Sequence, residues 1–211
     1  MPPPESRPES WTVVGANRGL GLEFVRQLRA AGHEVRGLSR ADGYDVRDEA
    51  AFRLDGAIDA LILNAGVQNR AGRIDDLDFE SIAETFDVNA LGPVRVLRAL
   101  LPNLRAGRRK LVAFLSSRMG SFDQYDAPNM YAYRASKAAL NMFIRCVADE
   151  LAPEGIICVA LHPGWVRTDM GGDTATLGVE QSVQGMLKVL NREEPLLPGS
   201  FLDYRGEILS W

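Results

Sequence analysis

Tyr133 and Lys137 stand four residues apart in the run Tyr133-Arg134-Ala135-Ser136-Lys137. On a helix that spacing stacks them on one face. A free phenol titrates near ~10, and a neighbouring ammonium favours its anion, so the pair could act as a general acid or base near neutrality. The same spacing also describes a packed ring beside a solvated amine. What separates the two readings is the company the pair keeps along the chain.

The elements before it look built to hold a nucleotide. A short apolar strand, residues 11–14, runs into Gly15-Ala16-Asn17-Arg18-Gly19-Leu20-Gly21, after which Leu20, Phe24, Leu28 and Ala31 recur at helical spacing. Strand, glycine turn and helix form the layout that seats a dinucleotide pyrophosphate on free N–H groups at a helix start. A glycine turn that closes a strand and binds nothing is the alternative. A second strand, residues 33–39, ends in Ser39-Arg40, where an acid would accept from the 2′-hydroxyl of NAD. A hydroxyl and a guanidinium stand there instead, and Arg18 offers a second cation. They suit a 2′-phosphate, so NADP(H) is the expected cofactor.

Asp45-Val46 follows closely, then a short helical stretch over 48–54 and a buried strand over 58–63 that ends in Asn64-Ala65-Gly66. A small-residue turn at the carboxyl end of a buried strand is where an open α/β sheet places its ligand. Residues 78–104 read as helix, interrupted by Asn89 and by Gly92-Pro93, and the Asn89 amide could hold a freed carbonyl or a water at the kink. A strand over 110–115 delivers Ser116-Ser117 to the same sheet edge. A polar loop over 121–129 precedes the helix of Tyr133 and Lys137, which Pro153 and Gly155 stop. A strand over 156–161 leads into His162-Pro163-Gly164-Trp165-Val166-Arg167-Thr168. Residues 169–178 read as a mobile segment over a pocket, 179–190 as helix and 200–209 as a last strand. Strands alternating with helices predict an α/β fold, a doubly wound parallel sheet of Rossmann type, as one domain over residues 11–211.

Size and charge agree. The 211 residues, 46% of them hydrophobic, suffice for one core, and a net charge of −4 disfavours nucleic acid or an anionic membrane as partner. The basic cluster Arg105, Arg108, Arg109 and Lys110 reads as solvated charge at a helix end, and Asp75, Asp76 and Asp78 as a polar loop and helix start; no metal site is expected. Cys146 and Cys158 are expected buried and inert. Residues 1–10 carry no apolar run and are expected to be a disordered tail, and a soluble cytoplasmic protein is the default.

With the glycine turn, Asn-Ala-Gly, helix Asn, strand-end Ser and Tyr-x-x-x-Lys in this order over residues 11–211, the chain resembles the short-chain dehydrogenase/reductase family. Its final segment and Gly164 to Gly172 resemble the carbonyl-reductase-like branch that includes C-factor. The resemblance implies hydride transfer between NADP(H) and a small carbonyl or alcohol substrate. It implies that Tyr133 is the acid, that Lys137 lowers its pKa and holds the nicotinamide ribose, that Ser117 orients the carbonyl and that Asn89 holds a relay water. It implies further that Gly15, Asn17, Arg18, Gly19, Leu20, Gly21, Ser39, Arg40, Asp45, Val46, Asn64, Ala65 and Gly66 line the cofactor. Pro163, Gly164, Val166 and Thr168 would seat the carboxamide, and His162 is expected only to pack. Val14 stands where the family has Thr, and the interval between second and third strands is short. The sixteen residues from Ser117 to Tyr133 exceed the common spacing, which keeps Ser116 and Ser121 as alternatives to Ser117. Pairing of two copies through the long helices is implied, with solvated Arg-bearing faces as the alternative. A cofactor-binding signalling protein without turnover is the second functional reading.

Overall fold

The computed structural model describes residues 7–68 and 73–211. Six strands form one parallel sheet in the order β2-β1-β3-β4-β5-β6. They are β1 (Ser10–Val14), β2 (Glu34–Leu38), β3 (Ala60–Leu63), β4 (Leu111–Leu115), β5 (Ile157–His162) and β6 (Phe201–Asp203). Five α-helices connect them: α1 (Gly19–Ala30), α2 (Phe79–Phe86), α3 (Gly92–Ala106), α4 (Tyr131–Leu151) and α5 (Val179–Leu190).

Side chains of successive strand residues point to opposite faces, so each buried strand serves two cores. Val14, Leu61, Leu63, Val112, Phe114, Cys158 and Ala160 pack with α3 and α4 through Leu97, Leu100, Leu104, Leu140 and Ile144. Trp11, Val13, Ala60, Ile62, Ala113, Val159 and Leu161 pack with Phe24 and Leu28 of α1 and with Val183 and Met186 of α5. β1 pairs with β2 on one side and β3 on the other. The crossovers therefore diverge at β1 and β3, and the crevice at their carboxyl ends is the ligand position of such a sheet.

Several elements differ from the sequence reading. Of the expected tail, residues 1–6 lie outside the described residues, whereas Ser10 opens β1 and Glu9 accepts from Arg109 at 2.7 Å. The stretch over 48–54 is a single 3-10 turn, Glu49–Ala51, which Asp48 caps by accepting from the Ala50 N–H and which ends at Phe52. The last strand keeps three residues and then folds back, with Leu202 bridging Ile208 antiparallel. Cys146 is exposed, on the outer side of α4, while Cys158 is buried, its thiol pushed up to about 12 by burial. In the basic cluster Arg105 and Arg108 stay exposed, and ion pairs join them as well: Arg105 meets Glu154, Arg108 meets Asp59 and Arg109 meets Glu9.

Candidate active site

The glycine turn is shaped by contacts that leave no room for side chains. A Cβ on Gly15 would lie 2.7 Å from the Ala65 nitrogen, and one on Gly21 would strike the Gly15 carbonyl and lie 2.7 Å from Asn64 Nδ2. Gly15 and Gly19 also have φ of 84° and 54°, where other residues are strained. Asn64 Nδ2 donates to the Gly15 carbonyl at 2.9 Å, and its backbone N–H donates to the Val14 carbonyl at 3.0 Å. These two bonds brace the turn in a chain that has Val14 instead of Thr. Arg18 caps α1 without a side-chain hydrogen bond, and no acid stands in the first turn. The first turn of α1 thus brings no anion of its own to the helix start, which favours receiving a pyrophosphate.

At the far end of the cradle two side chains are not placed as the sequence suggests. The 3-10 turn Arg40–Asp42 folds Asp42 back, and its carboxylate accepts from the Ser39 hydroxyl at 2.6 Å. An acid therefore does stand at the strand end, reached through the turn rather than by strand position. Arg18 forms an ion pair with Asp169, which joins the glycine turn to the segment after β5. Thr168 comes with it: its Cγ2 lies 3.6 Å from where a Gly19 Cβ would be, and its hydroxyl accepts from the Gly171 N–H at 3.1 Å. Arg40 is exposed. Asp45 is engaged by Arg47 at 2.6 Å, which holds its carboxyl at about 2, well below the usual range. Val46 is buried against Gly92.

α4 carries Tyr133, Ser136, Lys137, Leu140 and Asn141 on its buried face. The Ser117 hydroxyl, which caps the 3-10 turn Arg118–Gly120 at the end of β4, lies close enough to Tyr133 to pull its phenol down. Gly120 makes this approach possible, since a Cβ there would lie 2.6 Å from the Lys137 carbonyl carbon. Among the three candidate serines, Ser116 bonds Asn141 and Ser121 donates to the Trp211 carbonyl at 3.1 Å. Ser117 alone of the three meets the phenol. Pro163 accepts from Ser182 at 2.6 Å, and Val166 pairs with Leu177, so the segment after β5 is tied to the start of α5. Gly164 has φ 84° with Leu177 and Tyr204 closing over it.

Lys137 donates to the Leu115 carbonyl at 2.8 Å, and its ammonium lies 5.8 Å from the centre of the Tyr133 ring. The expected lowering of the phenol does not occur. Burial pushes Tyr133 up, against the pull of the Ser117 hydrogen bond, and pushes Lys137 down to about 8. Desolvation disfavours both charged forms, and at this separation it outweighs their mutual attraction. The phenol consequently keeps its proton at neutral pH.

Asn89 lies in one turn of π-helix, Asp87–Leu91, between α2 and α3. Its Oδ1 accepts from the Val67 N–H at 2.8 Å, while Nδ2 donates to the Val67 carbonyl at 2.8 Å and to Ser136 Oγ at 3.1 Å. The amide holds a carbonyl, as anticipated for a kink, but one on the chain after Asn64-Ala65-Gly66 and not one freed from its own helix. A Cβ on Gly66 would lie 3.3 Å from Asn89 Oδ1 and 4.0 Å from Lys137 Nζ, so these two side chains border the same glycine. His162, expected only to pack, has its Nδ1 buried without a partner among the described residues, and burial, then Arg118, pushes its pKa down to about 4.

The short chain dehydrogenase family model matches residues 44–176. C-signal of Myxococcus xanthus is 49% identical over 156 residues, 74% of this chain and 94% of that one. An NADPH-bound carbonyl reductase from chicken fatty liver superposes with a TM-score of 0.86 at 32% identity, covering 98% of this chain and 100% of that chain. Carbonyl reductase Sniffer of D. melanogaster gives 0.85 at 28% identity, covering 97% and 100%. The sheet order, the glycine cradle and these likenesses agree, and the chain belongs to the short-chain dehydrogenase/reductase family of oxidoreductases.

Proposed function

We propose that this protein reduces aldehydes or ketones with NADPH, using Tyr133 as the proton donor. The observation that carries the reading is that Ser117, Tyr133 and Lys137 are buried together at the sheet edge that also holds the glycine cradle. Bound NADPH supplies the hydride for the carbonyl carbon. Tyr133, kept protonated by burial, gives its proton to the carbonyl oxygen, and Ser117 donates a hydrogen bond that orients that oxygen. Lys137, with a pKa of about 8, is mostly cationic at pH 7 and stabilises the phenolate that Tyr133 becomes. Asn89 acts as a positioning residue: it fixes Val67 and Ser136 around the site, with one Oδ1 lone pair left for a water. The glycine turn from Gly15 to Gly21 would receive the pyrophosphate, and Thr168 the carboxamide.

NADP(H) is favoured over NAD(H) by Arg40, with Arg18 able to join it once released from Asp169. The carbonyl-reductase likeness, with NADPH bound in the chicken protein, points the same way. The test is NADPH oxidation across a panel of aldehydes and ketones. Tyr133→Phe is expected to lower kcat by about 10²- to 10⁴-fold with NADPH binding retained, and full turnover by that variant would refute the assignment.

A second reading, a cofactor-binding signalling protein without turnover, draws on the 49% identity to C-signal. A buried phenol and amine that each lose solvation are a poor investment for a protein that only binds. Cofactor binding with no turnover on any carbonyl of the panel would establish this second reading instead.

A further inference from the structure

Arg118 follows Ser117 directly and opens the turn that Ser117 caps. Its side chain is exposed, and among the described residues no hydrogen bond or ion pair engages it. Its charge acts in two directions: after burial it depresses His162 at the end of β5, and after Arg134 it depresses Asp126 in the loop before α4. The turn that Arg118 opens lies at the carboxyl end of β4, one residue on from Ser117.

Neither neighbouring carboxylate neutralises it. Asp126 is ion-paired with Arg134. Asp203 is held by Arg205 at 2.9 Å and by the backbone N–H groups of Arg205 and Glu207. His162 is neutral at working pH and adds no competing charge. Arg47, Arg98, Arg105, Arg108 and Arg109 each face a carboxylate, whereas Arg40, Arg53 and Arg118 face none among the described residues, and of these three Arg118 alone adjoins Ser117 in the chain. An unengaged guanidinium at such a position is a planar, two-pronged receptor for an oxyanion.

We propose that Arg118 selects carbonyl substrates that carry a carboxylate, holding that group while Tyr133 acts on the carbonyl oxygen. The inference rests on the carbonyl reduction proposed above and narrows its substrate class. The test compares 3- and 4-carboxybenzaldehyde with their methyl esters, as the ratio of kcat/KM for acid over ester with NADPH. Effects on folding or on the chemical step cancel in that ratio.

The native enzyme is expected to favour at least one acid by about tenfold, mostly through KM, with the preference shrinking as salt is raised. Arg118→Met brings the ratio close to one, and Arg118→Lys keeps part of it, since the charge persists without the fork. A native ratio near one for both isomers overturns the proposal, as does an Arg118→Met enzyme with the native ratio. Failure to reduce any of the four aldehydes, or any in the wider panel, would instead sink the reduction reading and this inference with it.

Discussion

Replacing Lys137 with Met separates what the buried amine costs the fold from what it does for chemistry. Lys137 is 5% exposed, and burial alone moves its pKa from the ordinary 10.5 to about 8. The folded chain therefore binds fewer protons than the unfolded one between those values, and stability rises with pH across that window. Below pH 8 the penalty for burying the ammonium is fully present, about 3 kcal/mol for a shift of this size. By pH 9.5 about 2 kcal/mol of it has been relieved, and above pH 10.5 it is gone. The variant also loses the bond to the Leu115 carbonyl, but that loss varies little with pH. The decisive quantity is hence the change in stability difference between the two proteins from pH 7 to pH 9.5, measured by urea unfolding without cofactor. Lys137→Met should gain relative stability at pH 7 by about 2 kcal/mol over its standing at pH 9.5, about 4–8 °C in melting temperature. Other groups that titrate in this range do so in both proteins and drop out. A difference that stays flat with pH would mean that Lys137 keeps an ordinary pKa, and the account of a desolvated amine at the site would be wrong. Turnover should fall sharply in the same variant, which would place Lys137 among residues held at a cost to stability.

Asp42→Asn removes the carboxylate that folds onto Ser39, and the ratio of kcat/KM for NADPH over NADH should rise about three- to tenfold; an unchanged ratio would show that Asp42 does not face the adenosine ribose. Asp169→Asn frees Arg18 from an exposed pair of the kind worth about 0.2–1 kcal/mol, so calorimetry should find NADPH bound up to about fivefold more tightly. Weaker binding by that variant would mean the Asp169 link assists the cofactor instead of competing with it. Asn89→Leu leaves both polar groups of Val67 unpaired and should cost about 2–4 kcal/mol in urea unfolding, whereas a loss under about 1 kcal/mol would show that water replaces the amide.

Much of the fold was legible because the signals are local. The strand and helix periods of the core, the glycine turn and the helix stops at Pro153 and Gly155 all follow from neighbouring residues, and α5 spans the residues its pattern marks. Two elements misread for length failed for a tertiary reason. The outermost part of β6 has strand-like residues but only three positions with a partner strand to bond, and the turn within residues 48–54 closes at Phe52, whose ring is buried in the core. Cys146 looked buried by hydropathy, yet its place on α4 turns it away from the sheet.

The site divides along the same line. Which residues gather at the carboxyl edge was set by the chain itself, since each stands at a strand end or on one helix face and the βαβ crossover brings such ends together. What those residues are bonded to was decided only in three dimensions. Asp169 taking Arg18, Asn89 reaching Val67 and Ser117 meeting Tyr133 are contacts between segments whose separation in the sequence says nothing of their distance in space, and Asp42, only three residues on, reaches Ser39 because the chain there closes into a turn. The protonation state belongs to this second group as well: a Tyr and a Lys one turn apart predict mutual attraction, but how much water the fold removes from each determines which effect prevails.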